Sequence, residues 1–239
     1  MEATCAEITA GEMHDHWVLD GPTTRTVHGS REMEITAPDD AQTTLWNPAI
    51  YTGRLEVEFD CFVPEPHTKL LLLVHGLGSD GSPVTDWQRT AAYDEYNAGR
   101  MEVYTIAFNR GPHIAEKLGQ QLANVRRIGG PLFAEYTADH FQTRGPEFWE
   151  QWDTDSLLGG AREPVSGLGR WLRYHVIVDP PRITLAVEGT AFAEFVDHRP
   201  EPLFRGSMAF RNMSKGKSFI IRNLVLREQE LSRHTGGQP

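Results

Sequence analysis

The sequence predicts an all-β protein, a two-sheet antiparallel jelly-roll sandwich with long loops around a concave face. In several segments apolar and polar side chains alternate, which is the pattern of a strand with one buried face. From Trp171 onward the chain divides into strand-length runs separated by turns rich in proline and glycine. Convincing amphipathic helices are scarce, which argues against a parallel sheet covered by helices on both faces.

The segment RLEVEFDCFV, residues 54–63, shows the alternation most clearly. From Arg54 to Asp60 the even-numbered positions are charged, and the odd-numbered positions are apolar. Glu56, Glu58 and Asp60 have a spacing that a glycosidase pair could use, since its carboxyl groups stand about 5 to 10 Å apart. Because they lie opposite a fully apolar face, we interpret them as a solvated convex surface.

The other predicted strands lie beyond residue 100 and are followed by a short tail. They cover residues 101–108, 121–127, 171–178, 182–189, 190–197, 206–213 and 218–228. Between residues 109 and 169 the alternation weakens, and we predict loops that wall a cleft, with a short helix near residues 147–152. The sequence predicts one domain over residues 1–231 and a frayed end at 232–239. It leaves open whether the first fifty residues complete the sheets or pack on a neighbour.

Composition excludes several classes of protein. The net charge of −10 and the pI near 5.5 disfavour binding to nucleic acid or to anionic membranes. Two cysteines, Cys5 and Cys61, are too few for a multi-cysteine zinc site or a disulfide scaffold. The N-terminal residues lack the basic and apolar regions of a signal peptide, and no apolar run is long enough to span a bilayer. We therefore expect a soluble, cytoplasmic protein.

The stretch LLLLVHGLGSDG, residues 70–81, is similar to the strand and oxyanion loop of an α/β-hydrolase. Such an enzyme needs a serine in a G-x-S-x-G elbow, where the glycines allow a sharp turn. Ser79, Ser166 and Ser207 all lack this context. The sequence therefore disfavours the α/β-hydrolase hypothesis.

The segment from Trp171 to Glu228 resembles the closing strands of concanavalin A-like lectin and glucanase domains. The shared features are a tryptophan-led strand, a hairpin ending at Gly189, a G-x-M-A-F strand and a final I-R-N-L-V-L strand. Over residues 70–227 the chain also resembles a bacterial family of unknown function that is found beside pectin-degradation enzymes. The motifs are LLLLVHG, MEVYTIAFNRG, LANVRR and GRWLRYHVIV. This resemblance implies that one sheet is concave and faces a sugar, and that the sugar is acidic.

Candidate site residues are those whose chemistry suits a sugar. Planar side chains stack on the ring face, amides bind hydroxyl groups, and a forked guanidinium pairs with a uronate carboxylate. We expect His75 at the rim of the groove, with a turn-capping histidine as the alternative, and Tyr104 either in the groove or in the core. The predicted catalytic residues are His75, Tyr104, Arg110, Asn124 and Arg126, and the predicted substrate-binding residues are Asn109, His113, Trp149, Trp152, Asp153 and Arg211.

These residues predict a carbohydrate-active enzyme that cleaves a short, uronate-containing oligosaccharide by hydrolysis or β-elimination. In an elimination, Arg110, Arg126 and Asn124 would neutralise the substrate carboxylate, and His75 or Tyr104 would take the proton. The main alternative is a non-catalytic, lectin-like sugar-binding protein, and a third hypothesis is a structural sandwich with an exposed apolar patch. No cofactor is implied. A structural calcium ion held by loop oxygens and a homo-oligomer both stay open.

Overall fold

The computed structural model describes residues 3–22, 24–66, 68–87, 89–92, 95–96, 100–108, 123–129, 136, 145–161 and 168–229. The strands in chain order are β1 (Ala3–Ile8), β2 (Val18–Asp20), β3 (Thr24–His28), β4 (Glu32–Thr36), β5 (Thr43–Trp46), β6 (Tyr51–Thr52), β7 (Arg54–Phe62), β8 (Leu70–Gly78), β9 (Met101–Phe108), β10 (Ala123–Ile128), β11 (Leu157–Ala161), β12 (Trp171–Asp179), β13 (Arg182–Val187), β14 (Thr190–Val196), β15 (Arg205–Asn212) and β16 (Ser218–Gln229). The described helices are α1 (Ala10–His16) and α2 (Pro146–Ser156), with a 3₁₀ turn at Val84–Asp86.

The described strands form two eight-stranded antiparallel sheets, called sheet A and sheet B below. Sheet A has the order β14-β13-β12-β7-β16-β4-β3, with β1 also paired to β16. Sheet B has the order β11-β10-β9-β8-β15-β5-β2, with β6 also paired to β15. This architecture confirms the predicted two-sheet jelly-roll sandwich. The first fifty residues complete both sheets, since β1, β3 and β4 belong to sheet A and β2 and β5 to sheet B.

The inner faces of the two sheets enclose an aromatic core. The ring of Phe59, on β7 of sheet A, lies 5.3 Å from that of Tyr174 in the same sheet. It lies 5.0 Å from Phe210 and 6.5 Å from Phe108, both on sheet B. All four side chains are buried, as the odd-position pattern of β7 predicts for Phe59. Burial of each such side chain contributes about 1.5–3 kcal/mol to folding.

The acidic outer face of β7 is neutralised by basic groups of the neighbouring strands. Asp60 accepts hydrogen bonds from Nε of Arg173 at 2.9 Å and Nδ2 of Asn223 at 2.7 Å, and Glu58 accepts one from Arg227 at 3.3 Å. Partial burial opposes ionisation of Asp60, but these bonds outweigh it and lower the pKa of its carboxyl group. Glu58 and Asp60 thus belong to an ion-pair network on the outer face of sheet A. Asp60 is only 7% exposed, so this face is less solvated than the sequence predicts.

The region predicted as loops contains more regular structure than its sequence indicates. Helix α2 runs to Ser156, four residues beyond the expected helix, and β11 follows it directly. The sequence of β11, LLGGA, has no alternation to reveal a strand. Gly159 is required there, because a Cβ atom would lie 2.7 Å from the ring of Phe195. Within the described ranges no helix has the length and apolarity needed to cross a bilayer.

Candidate functional site

The strand register of sheet B places several predicted site residues on its outer face. One row across the sheet reads Asn124, Ala107, Leu71, Arg211 and Thr44. The next row reads Arg126, Thr105, Leu73, Ala209 and Trp46. Asn124 and Arg126 therefore share a face, as their alternation predicts. Arg211 lies three strand spacings away, about 14 Å.

Most of this outer face is covered, whereas the sequence predicts an open polar groove. A second apolar cluster fills it, in which Trp46, Leu73 and Val103 of the sheet pack with Val84, Ala91 and Tyr96 and with helix α2. The reason lies in the strands themselves, because the leucine run of β8 supplies apolar side chains to both faces of the sheet. An apolar outer face has to be covered, and the long connections provide the cover.

Arg211 projects from the outer face of this sheet and binds the segment that covers it. Its Nη1 donates to Oγ1 of Thr44 at 3.0 Å, and its Nη2 donates to Oε1 of Gln42 at 2.5 Å and to the carbonyl oxygen of Ala91 at 3.0 Å. Its guanidinium lies 3.7 Å from the ring centroid of Tyr96. Only 2% of Arg211 is exposed. In this structure it is therefore a positioning residue for Gln42 and Ala91.

Asp20, on the edge strand β2, binds two residues of the segment that covers sheet B, Arg89 and Tyr96. Its Oδ2 accepts hydrogen bonds from Nε1 of Trp46 at 2.9 Å, from Nε of Arg89 at 2.6 Å, and from the hydroxyl of Tyr96. Asp20 and Arg89 are both almost fully buried. Sequence reasoning missed these residues, because partners 69 and 76 positions apart leave no local pattern.

A cleft of about 850 Å³ opens at the end of sheet B where β8 begins and β15 ends. Its described lining consists of Pro22, Asp40, Ala41, Gln42, Lys69, Thr90, Ala92, Trp149, Met213 and Lys215. The volume falls within the range of ligand-binding clefts. Arg211 helps to position two of these residues. It donates a hydrogen bond to Gln42 and another to the carbonyl oxygen of Ala91, which precedes Ala92 in the chain.

Trp149 on α2 contributes a fixed aromatic surface to the cleft. Its ring packs edge to face against Phe148, with centroids 5.2 Å apart, and against Trp152, with centroids 5.9 Å apart. The side chain is half-buried, so part of the indole faces the opening. Packing on two sides holds the ring in one orientation.

Arg126, Trp152 and Asp153 come together where α2 docks on β10. Nη2 of Arg126 lies 2.6 Å from Oδ1 of Asp153, and its Nη1 donates to Oγ of Ser156 at 2.5 Å. The guanidinium lies 4.5 Å from the ring centroid of Trp152. Arg126 is 5% exposed and Asn124 beside it is 1% exposed. This group joins the helix to the sheet and is distinct from the contacts of Arg211.

His75 and Tyr104 lie between the two sheets, so the expectation that His75 stands at a groove rim is wrong. A bulge in β8 and the left-handed backbone of His75, with φ of 56°, turn its side chain inward. Its Nδ1 lies 3.0 Å from the carbonyl oxygen of Leu203, which places the proton on that nitrogen. The hydroxyl of Tyr104 donates to Asp197 at 2.9 Å and accepts from the backbone N–H of Leu203 at 2.9 Å.

Both groups titrate far from their ordinary range. Burial lowers the pKa of the His75 imidazole to about 4, although the hydrogen bond to Leu203 opposes the shift. Burial also raises the pKa of the Tyr104 phenol, and the neighbouring Asp197 carboxylate raises it further. At neutral pH the imidazole and the phenol are therefore both uncharged.

The remaining predicted positions, Asn109, Arg110 and His113, lie outside the described residues. Across the described ranges, no group of three or more histidine, cysteine, aspartate or glutamate side chains is arranged to hold a metal ion.

The family model for a domain of unknown function, DUF1961, matches residues 6–144. The chain belongs to the DUF1961 family. No curated protein sequence matches this DUF1961 protein significantly. The matched region includes β8, β9 and β10, and thus the strands that carry His75, Tyr104, Asn124 and Arg126.

Solved structures with the same fold cover nearly the whole DUF1961 chain. A protein of unknown function with a galectin-like fold from Bacillus subtilis superposes with a TM-score of 0.70 at 16% identity, covering 94% of this chain and 98% of that one. The exoplasmic/lumenal domain of VIP36 in its Ca²⁺/Man₃GlcNAc-bound form gives 0.56 at 12% identity, covering 94% and 88%. The carbohydrate-binding module CBM66 from Bacillus subtilis gives 0.52 at 8% identity, covering 90% and 96%. At such identities the similarity shows the fold.

Proposed function

We propose that this DUF1961 protein binds an acidic oligosaccharide of the uronate class in the cleft between residues 89–92 and helix α2. The observation that carries the proposal is the lining of that cleft, where the fixed indole of Trp149 stands with the amide of Gln42 and the ammonium groups of Lys69 and Lys215. An indole stacks on the apolar face of a sugar ring, an amide binds its hydroxyl groups, and an ammonium group pairs with a uronate carboxylate.

The fold neighbours support a carbohydrate ligand. One is a carbohydrate-binding module, and another holds a mannose-containing glycan. Both share the sandwich architecture with this chain at low sequence identity. They support the class of ligand, while the choice of cleft depends on the side chains described above.

The described residues favour binding over the cleavage predicted from the sequence. His75 and Tyr104, the predicted proton acceptors, are held between the sheets by Leu203 and Asp197. Arg126, the predicted partner of the substrate carboxylate, is engaged by Asp153. An acid–base pair has to stand within hydrogen-bond reach of the reacting group. The cleavage hypothesis therefore depends on Asn109, Arg110 and His113.

The test is binding of the purified chain to an array of acidic and neutral glycans, followed by calorimetry with the glycans that bind. We expect Trp149→Ala to weaken the affinity by about tenfold, the scale of one aromatic contact, and Trp149→Phe to recover part of it. Phe204→Ala is the matched control, since Phe204 is 53% exposed and lies outside the described cleft lining, and it should leave the affinity unchanged.

Two results would overturn the proposal. The first is the absence of binding to every acidic glycan by the folded protein, whether or not neutral glycans bind. The second is a gain in absorbance from unsaturated uronate products, or in reducing ends, on incubation with the same glycans. That result would show cleavage and make the protein a lyase or a hydrolase.

A further inference from the structure

Lysine is rare in this chain, and its placement is uneven. Of the 23 basic residues other than histidine, only four are lysines. Three of them, Lys69, Lys215 and Lys217, stand at the same end of the sandwich, where β8 begins and the turn between β15 and β16 lies. The fourth, Lys117, lies outside the described residues. A protein with a net charge of −10 thus concentrates ammonium groups beside its cleft.

Hydrogen bonds between these segments fix the backbone that carries the lysines. The backbone N–H of Lys69 donates to Oγ of Ser214 at 2.6 Å, and the N–H of Met213 donates to the carbonyl oxygen of Lys69 at 3.2 Å. These bonds hold the turn between β15 and β16 beside the start of β8.

The same turn is also tied to the loop before β5. The N–H of Gly216 donates to the carbonyl oxygen of Pro38 at 2.9 Å. Gly216 adopts a φ of +68°, and a Cβ atom there would lie 2.5 Å from Oδ1 of Asp39. Only glycine fits this close approach in a left-handed conformation. The loops that carry Lys69, Lys215 and Gln42 are thus preorganised relative to one another.

The three lysines differ in their relation to the cleft. Lys69 and Lys215 line it with Trp149, and Asp40 is the carboxylate among the described lining residues. Nζ of Lys217 instead donates to the carbonyl oxygen of Pro66, and Lys217 is absent from the described lining. Among the described lining residues there are thus two lysines and one carboxylate, a balance that favours binding of an anion.

We infer that Lys69 and Lys215 are the specificity-determining residues that select the carboxylate of the saccharide, while Trp149 binds its ring face. The inference rests on the proposed function and assigns the charge recognition to lysines in place of the arginines predicted from the sequence. Both of these arginines are buried, where Arg211 donates a hydrogen bond to Gln42 and Arg126 forms an ion pair with Asp153. An ammonium group on a flexible stem offers three donors without a fixed orientation, which suits a carboxylate that rotates on its sugar ring.

The test compares each acid with its neutral ester. The probes are tri-galacturonate, tri-mannuronate and tri-guluronate, each paired with its methyl ester, which keeps the rings and linkages and removes the charge. By calorimetry at low salt, we expect Lys69→Met and Lys215→Met each to weaken binding of the acid by about tenfold, the scale of one charge-assisted hydrogen bond. Binding of the ester should not change. Lys69→Arg keeps the charge and should retain most of the affinity.

Lys217→Met is the matched control, because it removes the same charge from the same turn outside the cleft lining and should leave both affinities unchanged. Equal affinity for acid and ester, unaffected by either cleft-lysine substitution, would overturn the inference and leave saccharide binding standing. Binding of neutral glycans alone would overturn both the inference and the uronate ligand of the proposed function. Failure of the wild-type protein to bind any glycan would overturn the proposed function as well.

Discussion

Most buried polar side chains in the described part of the chain are held by specific partners, and His75 is one of several that leave a polar atom unpaired. Asn212, for example, donates from Nδ2 to the carbonyl oxygens of Ile35 at 3.2 Å and Lys217 at 2.8 Å. His75 uses Nδ1 in the same way, but its Nε2 meets no hydrogen-bond partner among the described residues. Protonation would create a buried cation at Nε2, and burial of an unpaired charge is strongly unfavourable.

The stability of the protein should therefore depend on the protonation of His75. Burial lowers its folded-state pKa from 6.5 to about 4, so between these values the unfolded chain binds a proton that the folded chain does not. The stabilising contribution is complete above pH 6.5 and is lost as the pH falls toward 4, by about 3 kcal/mol in all. Urea unfolding of the wild type at several pH values across this window should show the loss.

His75→Asn should remove this part of the pH dependence. Asparagine tolerates the left-handed backbone, with φ of 56° at this position, and its amide can donate to Leu203 without titrating. His198→Asn, at an exposed histidine, is the control and should keep the wild-type pH profile. If His75→Asn and the wild type lose stability in parallel below pH 6.5, the buried imidazole is not the cause.

Among the elements, the segments that cover sheet B matter most for the site. Thr90 and Ala92 line one wall of the cleft, and helix α2 supplies Trp149 to another. Asp20 and Arg211 fasten the first wall to the sheet, and Arg126 fastens the second. The geometry of the cleft thus depends on buried charged groups that do not line it.

Asp20→Ala should loosen the first wall. The substitution leaves the guanidinium of Arg89 buried without the carboxylate that it contacts at 2.6 Å. Removal of one partner of a buried ion pair costs about 3–5 kcal/mol, which chemical denaturation can measure. Hydrogen exchange should show faster exchange at the amides of Ala91 and Ala92.

The control for this substitution is an exposed ion pair. Arg182 and Glu194 pair at 2.8 Å with both side chains more than half exposed. Glu194→Ala should therefore cost less than about 1 kcal/mol. Similar losses for Asp20→Ala and Glu194→Ala, with unchanged exchange at residues 91 and 92, would show that Asp20 does not hold the wall.

For the whole molecule, the two sheets are joined by one continuous core. Phe59 of sheet A contacts Phe210 and Phe108 of sheet B, so its removal affects both layers. We expect Phe59→Ala to lower the free energy of unfolding by about 3–5 kcal/mol. Tryptophan fluorescence and far-ultraviolet circular dichroism should report the same shifted transition.

Phe204→Ala provides the comparison, since this ring is 53% exposed. Its effect on stability should stay within about 0.5 kcal/mol. Separate transitions by the two probes in the Phe59 variant would mean that the sheets unfold independently.

Much of this fold is predictable because the strand pattern is local. The alternation in β7, β12 and β16 depends on residues two positions apart, and the turns between C-terminal strands depend on proline and glycine at fixed places. The outer position of Asn124 and Arg126 follows from the same alternation. The strand β11 has no such pattern and was not predictable.

The sequence by itself determined the two-sheet architecture and which face of most strands is buried, since both follow from periodicity within short segments. Only the tertiary structure decided that the outer face of sheet B is covered, that His75 points inward, and that Lys69 and Lys215 share one cleft. Asp20 and its partner Arg89 are 69 positions apart, and Lys69 and Ser214 are 145 apart. Contacts at such separations depend on strand order and loop path, which no local pattern of side chains specifies.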